Sequence, residues 1–124
     1  MCYNQVIMIY LIHRGWGGKY TNYVAQTVKN INLMRRLEFT QYAPMSGGKK
    51  VAIHHSGKPL DSTMLLNYLS QPKVSFYLGD SKGLPSNVLS EADEIVSLSP
   101  LNISHQLEAA ILTSAIESLL IQQN

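Results

Sequence analysis

The stretch from Val74 to Leu107 constrains the fold more than any other part of the chain. It sets a glycine turn after a buried strand and an apolar loop after the next one. Val74-Ser75-Phe76-Tyr77-Leu78 is apolar or small throughout and runs into Gly79-Asp80-Ser81-Lys82-Gly83-Leu84. One short helical segment later, Ile95-Val96-Ser97-Leu98 runs into Ser99-Pro100-Leu101-Asn102-Ile103-Ser104-His105. Strands joined through a helix run parallel, so both loops leave the same sheet edge, and two loops at one edge make a pocket.

The rest of the chain fits that frame. Val6-Ile7-Met8-Ile9-Tyr10-Leu11-Ile12 is continuously apolar, the pattern of a strand covered on both faces. After the turn His13-Arg14-Gly15-Trp16-Gly17-Gly18, the residues Tyr20, Tyr23, Val24, Thr27, Val28 and Ile31 recur at helical spacing, which predicts a helix from Lys19 to Leu33. Leu37 to Ala43 alternates as a half-exposed edge strand stopped by Pro44. Lys50 to His54 reads as a third strand, Ser56-Gly57-Lys58-Pro59 as a turn, and Met64, Leu65, Tyr68 and Leu69 as the inner face of a helix capped by Asp61 or Ser62. Ser86 to Ala92 is a short helix with Ser86 as its cap. From Ser104 onward, Leu107, Ala110, Ile111, Ser114, Ala115, Ser118, Leu119 and Ile121 mark a last long helix.

The resulting order, β-α-β-β-α-β-α-β-α, predicts an α/β domain spanning residues 1–124, with a mostly parallel five-stranded sheet and helices on both faces. One junction resists it. Met45-Ser46-Gly47-Gly48-Lys49 is shorter than the roughly dozen residues a parallel crossover needs. The second strand is therefore expected to run antiparallel to the third, or to be displaced or poorly formed.

Composition narrows the class. A chain of 124 residues with 45% hydrophobic content is long enough for one real core. Its net charge of +2 permits contact with a polyanion without demanding it. A single cysteine, Cys2, excludes an internal disulfide and a cysteine-based zinc site, which suits a reducing cytoplasm. The run from Val6 to Ile12 is too short to span a bilayer and lacks the flanks of a signal peptide, so neither membrane anchor nor export is expected.

The combination of Gly79 after the fourth strand, Ser56-Gly57-Lys58-Pro59-Leu60-Asp61-Ser62 after the third, and Ser97-Leu98-Ser99-Pro100-Leu101 with His105 before the final helix resembles the SPOUT methyltransferases. Within them it is similar to the ribosomal RNA large subunit methyltransferase H family, from about Lys50 to Leu120. That resemblance implies a trefoil knot in the carboxyl-terminal half and a homodimer built on the last helix. It also implies S-adenosylmethionine as cofactor and, as substrate, N3 of a pseudouridine in 23S ribosomal RNA of the large ribosomal subunit. It places the cofactor at Ile53, Gly79, Leu98, Ser99, Pro100, Leu101, Asn102 and Ile103, held by backbone groups and apolar walls, and it makes His105 the catalytic candidate. No metal is implied, and the ribosomal substrate implies a cytoplasmic setting.

Several residues depart from that family. Asp80 stands where a second glycine is usual, Ala109 and Ala110 where an arginine is usual, and Glu117 lies nearly a turn after the usual acid. The chain ends at Gln122-Gln123-Asn124, where the family continues into a tail rich in His, Tyr, Arg and Glu. These differences carry an alternative: a shortened, catalytically impaired relative serving as a dimeric RNA- or ribosome-binding module. A flavodoxin-like or nucleotide-binding domain is a further option, distinguishable by strand order.

Single residues stay open between two roles. His105 is either a proton acceptor or RNA contact near the pocket, or a helix-start histidine bonded to a loop carbonyl. Arg14, Lys58 and Lys82 follow strands and suit an RNA phosphate, while Trp16 either stacks on a base or packs on a neighbouring subunit. Arg35-Arg36 and Lys49-Lys50 are expected as solvated surface. His54-His55 is not expected to hold a metal, because adjacent strand residues point to opposite faces.

Overall fold

The computed structural model describes residues 5–11, 21–40, 47–79, 84–99, 101 and 103–123. Its elements are β1 (Val6–Leu11), α1 (Thr21–Asn32), β2 (Arg36–Thr40), β3 (Lys49–Pro59), α2 (Ser62–Leu69), β4 (Lys73–Leu78), α3 (Ser86–Glu91), β5 (Glu94–Ser97) and α4 (His105–Gln123). The five strands form one sheet in the order β2-β1-β4-β3-β5, and every pairing is parallel. The flavodoxin-like order, 2-1-3-4-5, is not this one.

The second strand is displaced rather than antiparallel. β2 lies at the far edge against β1, with β1 and β4 between it and β3. The short junction is feasible for a geometric reason. Thr40 is level with Tyr10, Tyr77 and Ala52 across the sheet, and β3 begins at Lys49, only three positions below Ala52. The chain therefore climbs back about 10 Å while crossing about 14 Å sideways, within the reach of residues 41–48. The dozen-residue rule assumes a return over a full strand.

Register sorts the side chains onto two faces. Ile7, Ile9, Val51, Ile53, Val74, Phe76, Leu78 and Val96 pack in one core with Val24 and Ile31 of α1, Leu65, Tyr68 and Leu69 of α2, and Ala109, Leu112 and Ile116 of α4. The opposite face carries Tyr10, Ala52 and Tyr77 under Leu84 and Val88, where α3 lies. Tyr10 and Tyr77 stack with ring centroids 5.1 Å apart. Strands covered on both faces explain why β1 and β4 read as unbroken apolar runs.

The helices follow local chemistry. The Asp61 carboxylate accepts the Met64 N–H at 2.8 Å and caps α2. Ser104 caps α4, its Oγ accepting the Leu107 N–H at 3.2 Å. Ser86 does not cap α3; Pro85 holds that position and offers no side-chain acceptor. In α4 the inward residues are Ala109, Ala110, Leu112, Thr113, Ile116 and Leu120, whereas Ile111, Ser118 and Ile121 face outward. The predicted stripe was rotated because this helix is apolar or small nearly all round, so periodicity cannot choose its buried face.

β3 is longer than expected, and its second half is not a turn. Val96 pairs with Ile53 and, after a register shift, with Lys58, while Ser97 pairs with Pro59. A strand residue takes one partner on each edge, so the two halves of β3 flank β5. The Leu60 N–H donates to the Ser97 carbonyl at 2.9 Å and extends the second ladder. Residues 54–57 thus carry the chain across β5. Gly57 is needed at this crossing, because a Cβ there would sit 2.6 Å from the Ile95 carbonyl and 2.7 Å from the Val96 nitrogen.

Candidate functional site

The carboxyl ends of β3, β4 and β5 lie together. Ile53 is level with Leu78 on one side and Val96 on the other, so the segments leaving all three strands start from one line across the sheet. Gly79 is buried at that line, Leu98, Ser99 and Ile103 are half-buried, and Leu101 is 70% exposed. Ser99 Oγ accepts the Leu101 N–H at 3.0 Å, which tightens the loop leaving β5. His105, half-buried, opens α4 directly after that loop.

These residues do not contribute alike. The Ile53 side chain is sealed into the three-helix core at 2% exposure, so only its backbone is available to a ligand. Leu98 lines a groove of about 500 Å³ between α2 and α4, with Leu60, Leu65, Ile111, Ala115 and Leu119. Ile53, Gly79, Leu101 and Ile103 are not among its walls. Pro100, Asn102, Arg14, Trp16, Lys82 and Asp80 lie outside the described residues.

The basic residues divide sharply. Arg35 donates to the Leu69 carbonyl at the end of α2 and is therefore structural. Lys49 pairs with Glu94 at 2.9 Å, which removes it too from the expected solvated surface. Arg36 is exposed and pairs with Glu38 at 3.0 Å. Lys58 lies in the second half of β3 rather than in a loop; its side chain is 71% exposed and reaches Glu94 only at 3.8 Å.

His54 and His55 are not on opposite faces. Their rings stack with centroids 4.4 Å apart and 27° between planes, because the crossing over β5 breaks strand alternation. The Ser56 N–H donates to His54 Nδ1 at 3.1 Å, and Ser56 Oγ stands 2.6 Å from the same atom. Burial, followed by the neighbouring His55, lowers the His54 pKa. Among the described residues no group of three His, Cys, Asp or Glu side chains could hold a metal ion, and no helix is long and apolar enough to cross a membrane.

Two acidic groups escaped sequence reasoning. Glu94 accepts Tyr68 Oη at 2.7 Å besides pairing with Lys49 and Lys58. Hydrogen bonding to Lys49 and then to Tyr68 lowers its pKa, while burial first, then the bond to Glu94, pushes the Tyr68 hydroxyl well up. Glu108, in the first turn of α4, is pushed up to about 7 by burial. No local motif announces either, since each depends on what the fold packs around it.

Comparison with known proteins places this geometry in context. A family model described as a predicted SPOUT methyltransferase matches residues 14–117. Proteins named ribosomal RNA large subunit methyltransferase H are similar to part of the chain. The one from a Nitratiruptor species is 35% identical over 69 residues, 55% of this chain and 45% of the relative. The one from Prochlorococcus marinus strain MIT 9515 is 34% identical over 70 residues, covering 53% and 50% respectively. The Thermus thermophilus protein is 35% identical over 69 residues, with the same coverage of 53% and 50%. The chain therefore spans about half the length of the curated relatives it matches.

Proposed function

This chain belongs to the SPOUT methyltransferase family, and from that premise we propose that it transfers a methyl group from S-adenosylmethionine to a base of large-subunit ribosomal RNA, N3 of a pseudouridine. The observation that carries the reading is Val96 paired with both halves of β3, which brings the segments following β3 and β5 to one edge beside Gly79. A later strand lodged between two halves of an earlier one is also what a threaded backbone requires, and it supports a trefoil knot.

The residues present fit the cofactor. Gly79 lets a ligand approach the backbone, and Leu98 and Ile103 supply half-buried apolar walls. Backbone groups of Ile53, Gly79 and the segment from Leu98 through Ser99, Pro100, Leu101 and Asn102 to Ile103 would hold it. When bound, the cofactor supplies an electrophilic methyl group. The chain's own task is to set the base nitrogen in line at about 3 Å and to keep water out. His105 takes up the proton that the base nitrogen loses. Lys58, with Arg14 and Lys82, draws the RNA backbone to the same edge. A ribosomal substrate would put the protein in the cytoplasm.

The dimer is assigned to α4 and the groove beside it. Ile111 is 37% exposed and Ile121 59% exposed, and both would be covered in a pair of chains. A second reading is favoured by Ala109 and Ala110, which are 0% and 8% exposed: both are part of the core, where the resemblance implies an arginine. On that reading the chain is a dimeric RNA- or ribosome-binding module with impaired turnover. Incubation with methyl-labelled cofactor and large ribosomal subunits separates the two. Label in ribosomal RNA is expected; cofactor binding by calorimetry with no label in RNA rejects the enzyme and leaves the binding module.

A further inference from the structure

We propose that His54 and His55 form a stacking platform for an unpaired RNA base at the rim of the candidate cofactor site, with Lys58 taking an adjacent phosphate. This rests on the RNA-directed reading above and names the surface that would meet the strand. The two stacked rings follow Ile53 directly, so they stand at the carboxyl edge next to the strand ends at Leu78 and Ser97. His55 is exposed and His54 half-buried, which leaves ring surface open to a ligand.

The platform is held in place before any ligand arrives. It sits on the crossing over β5, anchored by the Ile53 pairing before it and the Lys58 pairing after it. Gly57 presses the backbone against Ile95 too closely for any side chain to intervene. A rigid presenter loses little entropy on binding.

Its chemistry suits a base better than a phosphate. The Ser56 backbone N–H can only donate, so His54 Nδ1 accepts and the proton of the neutral ring is on Nε2. With its pKa lowered, His54 is uncharged at neutral pH and offers a π-face with one N–H donor. Imidazole faces stack unpaired bases, and a cation beside an aromatic surface tracks the backbone. Lys58, three positions after His55 and largely exposed, is that cation. The Ser56 contacts also occupy the Nδ1 lone pair that a metal would take.

The test uses the full chain and two labelled probes of equal length, a mixed-sequence single-stranded oligoribonucleotide and its fully paired duplex. S-adenosylmethionine affinity is measured alongside by calorimetry. The single strand should bind more tightly than the duplex. His55→Ala should lose about tenfold in single-strand affinity, and His55→Phe should recover most of it. Both should retain cofactor affinity and the far-UV spectrum. If His55→Ala unfolds, His55→Gln removes the ring without removing polarity and should show the same loss. Lys58→Ala should weaken both probes alike and flatten the salt dependence. Unchanged binding in the ring-deleted variant, or equal loss with Phe, overturns the platform and leaves the methyltransferase reading intact. A wild-type chain that binds cofactor but neither probe overturns the platform and the RNA-directed reading together.

Discussion

Glu108 shows how one buried carboxyl reports on its surroundings. Its ordinary value is 4.5 and burial raises it to about 7 in the folded chain. The native state thus holds a proton that the unfolded state releases, so stability falls as pH rises from about 4.5 to 7 and is level outside that window. The loss is well below the roughly 3 kcal/mol that a shift of this size would carry at full burial, because solvent screens a half-buried carboxyl. Glu108→Gln should therefore raise the melting temperature more at pH 8 than at pH 5, and parallel pH profiles for the two proteins would remove this account. Gly57 is the other single-residue constraint. Gly57→Ala forces backbone apart at Ile95 and Val96 and should cost about 1–3 kcal/mol in denaturant titration; an unchanged midpoint would show that the crossing is loose.

At the scale of elements, Glu94 fastens three of them. It receives Lys49 from the first half of β3, Lys58 from the second half and Tyr68 from α2. Asp93 adds a reciprocal pair with Lys50, accepting its N–H at 2.7 Å and donating its own at 2.8 Å. Because the Glu94 pKa is lowered, its stabilisation is present above the unfolded carboxyl range and is lost as pH falls through the depressed folded value. Glu94→Gln should cost about 1–2 kcal/mol at pH 7 and progressively less as pH falls below the ordinary carboxyl range. A cost independent of pH would assign the effect to packing alone. α1 and α4 are tied similarly, with the Asn30 amide donating to Glu117 at 2.6 Å and Tyr23 Oη 2.7 Å from Ser114 Oγ. The sequence signals for Tyr23 and Ser114 as inward apolar-face positions therefore resolved into a polar seam between two helices.

For the whole molecule, the exposed side of α4 and the groove beside it are the surface on which pairing would act. Ile111→Asp places a charge where the side chain is 37% exposed in the single chain, so folding should be little affected. Light scattering should show the variant as a monomer at concentrations where the parent is a dimer. A dimer of unchanged mass would move the interface elsewhere. Among the described residues Leu98 is the one common to the two surfaces, lining the groove with side chains of α2 and α4 and opening the segment that would hold the cofactor.

Element order, the apolar interior of β1 and β4, and the Asp61 cap of α2 were all readable from residue types, because periodicity and cap chemistry act within a few positions. Where β2 would pair, which side of α4 would be buried, and how β3 would divide around β5 were not readable. Those depend on contacts between residues tens of positions apart, which local preference does not encode. The same holds for His54 and His55. Their types were visible, but a strand rule set them on opposite faces, and only the chain's passage across β5 turned them into one stacked surface.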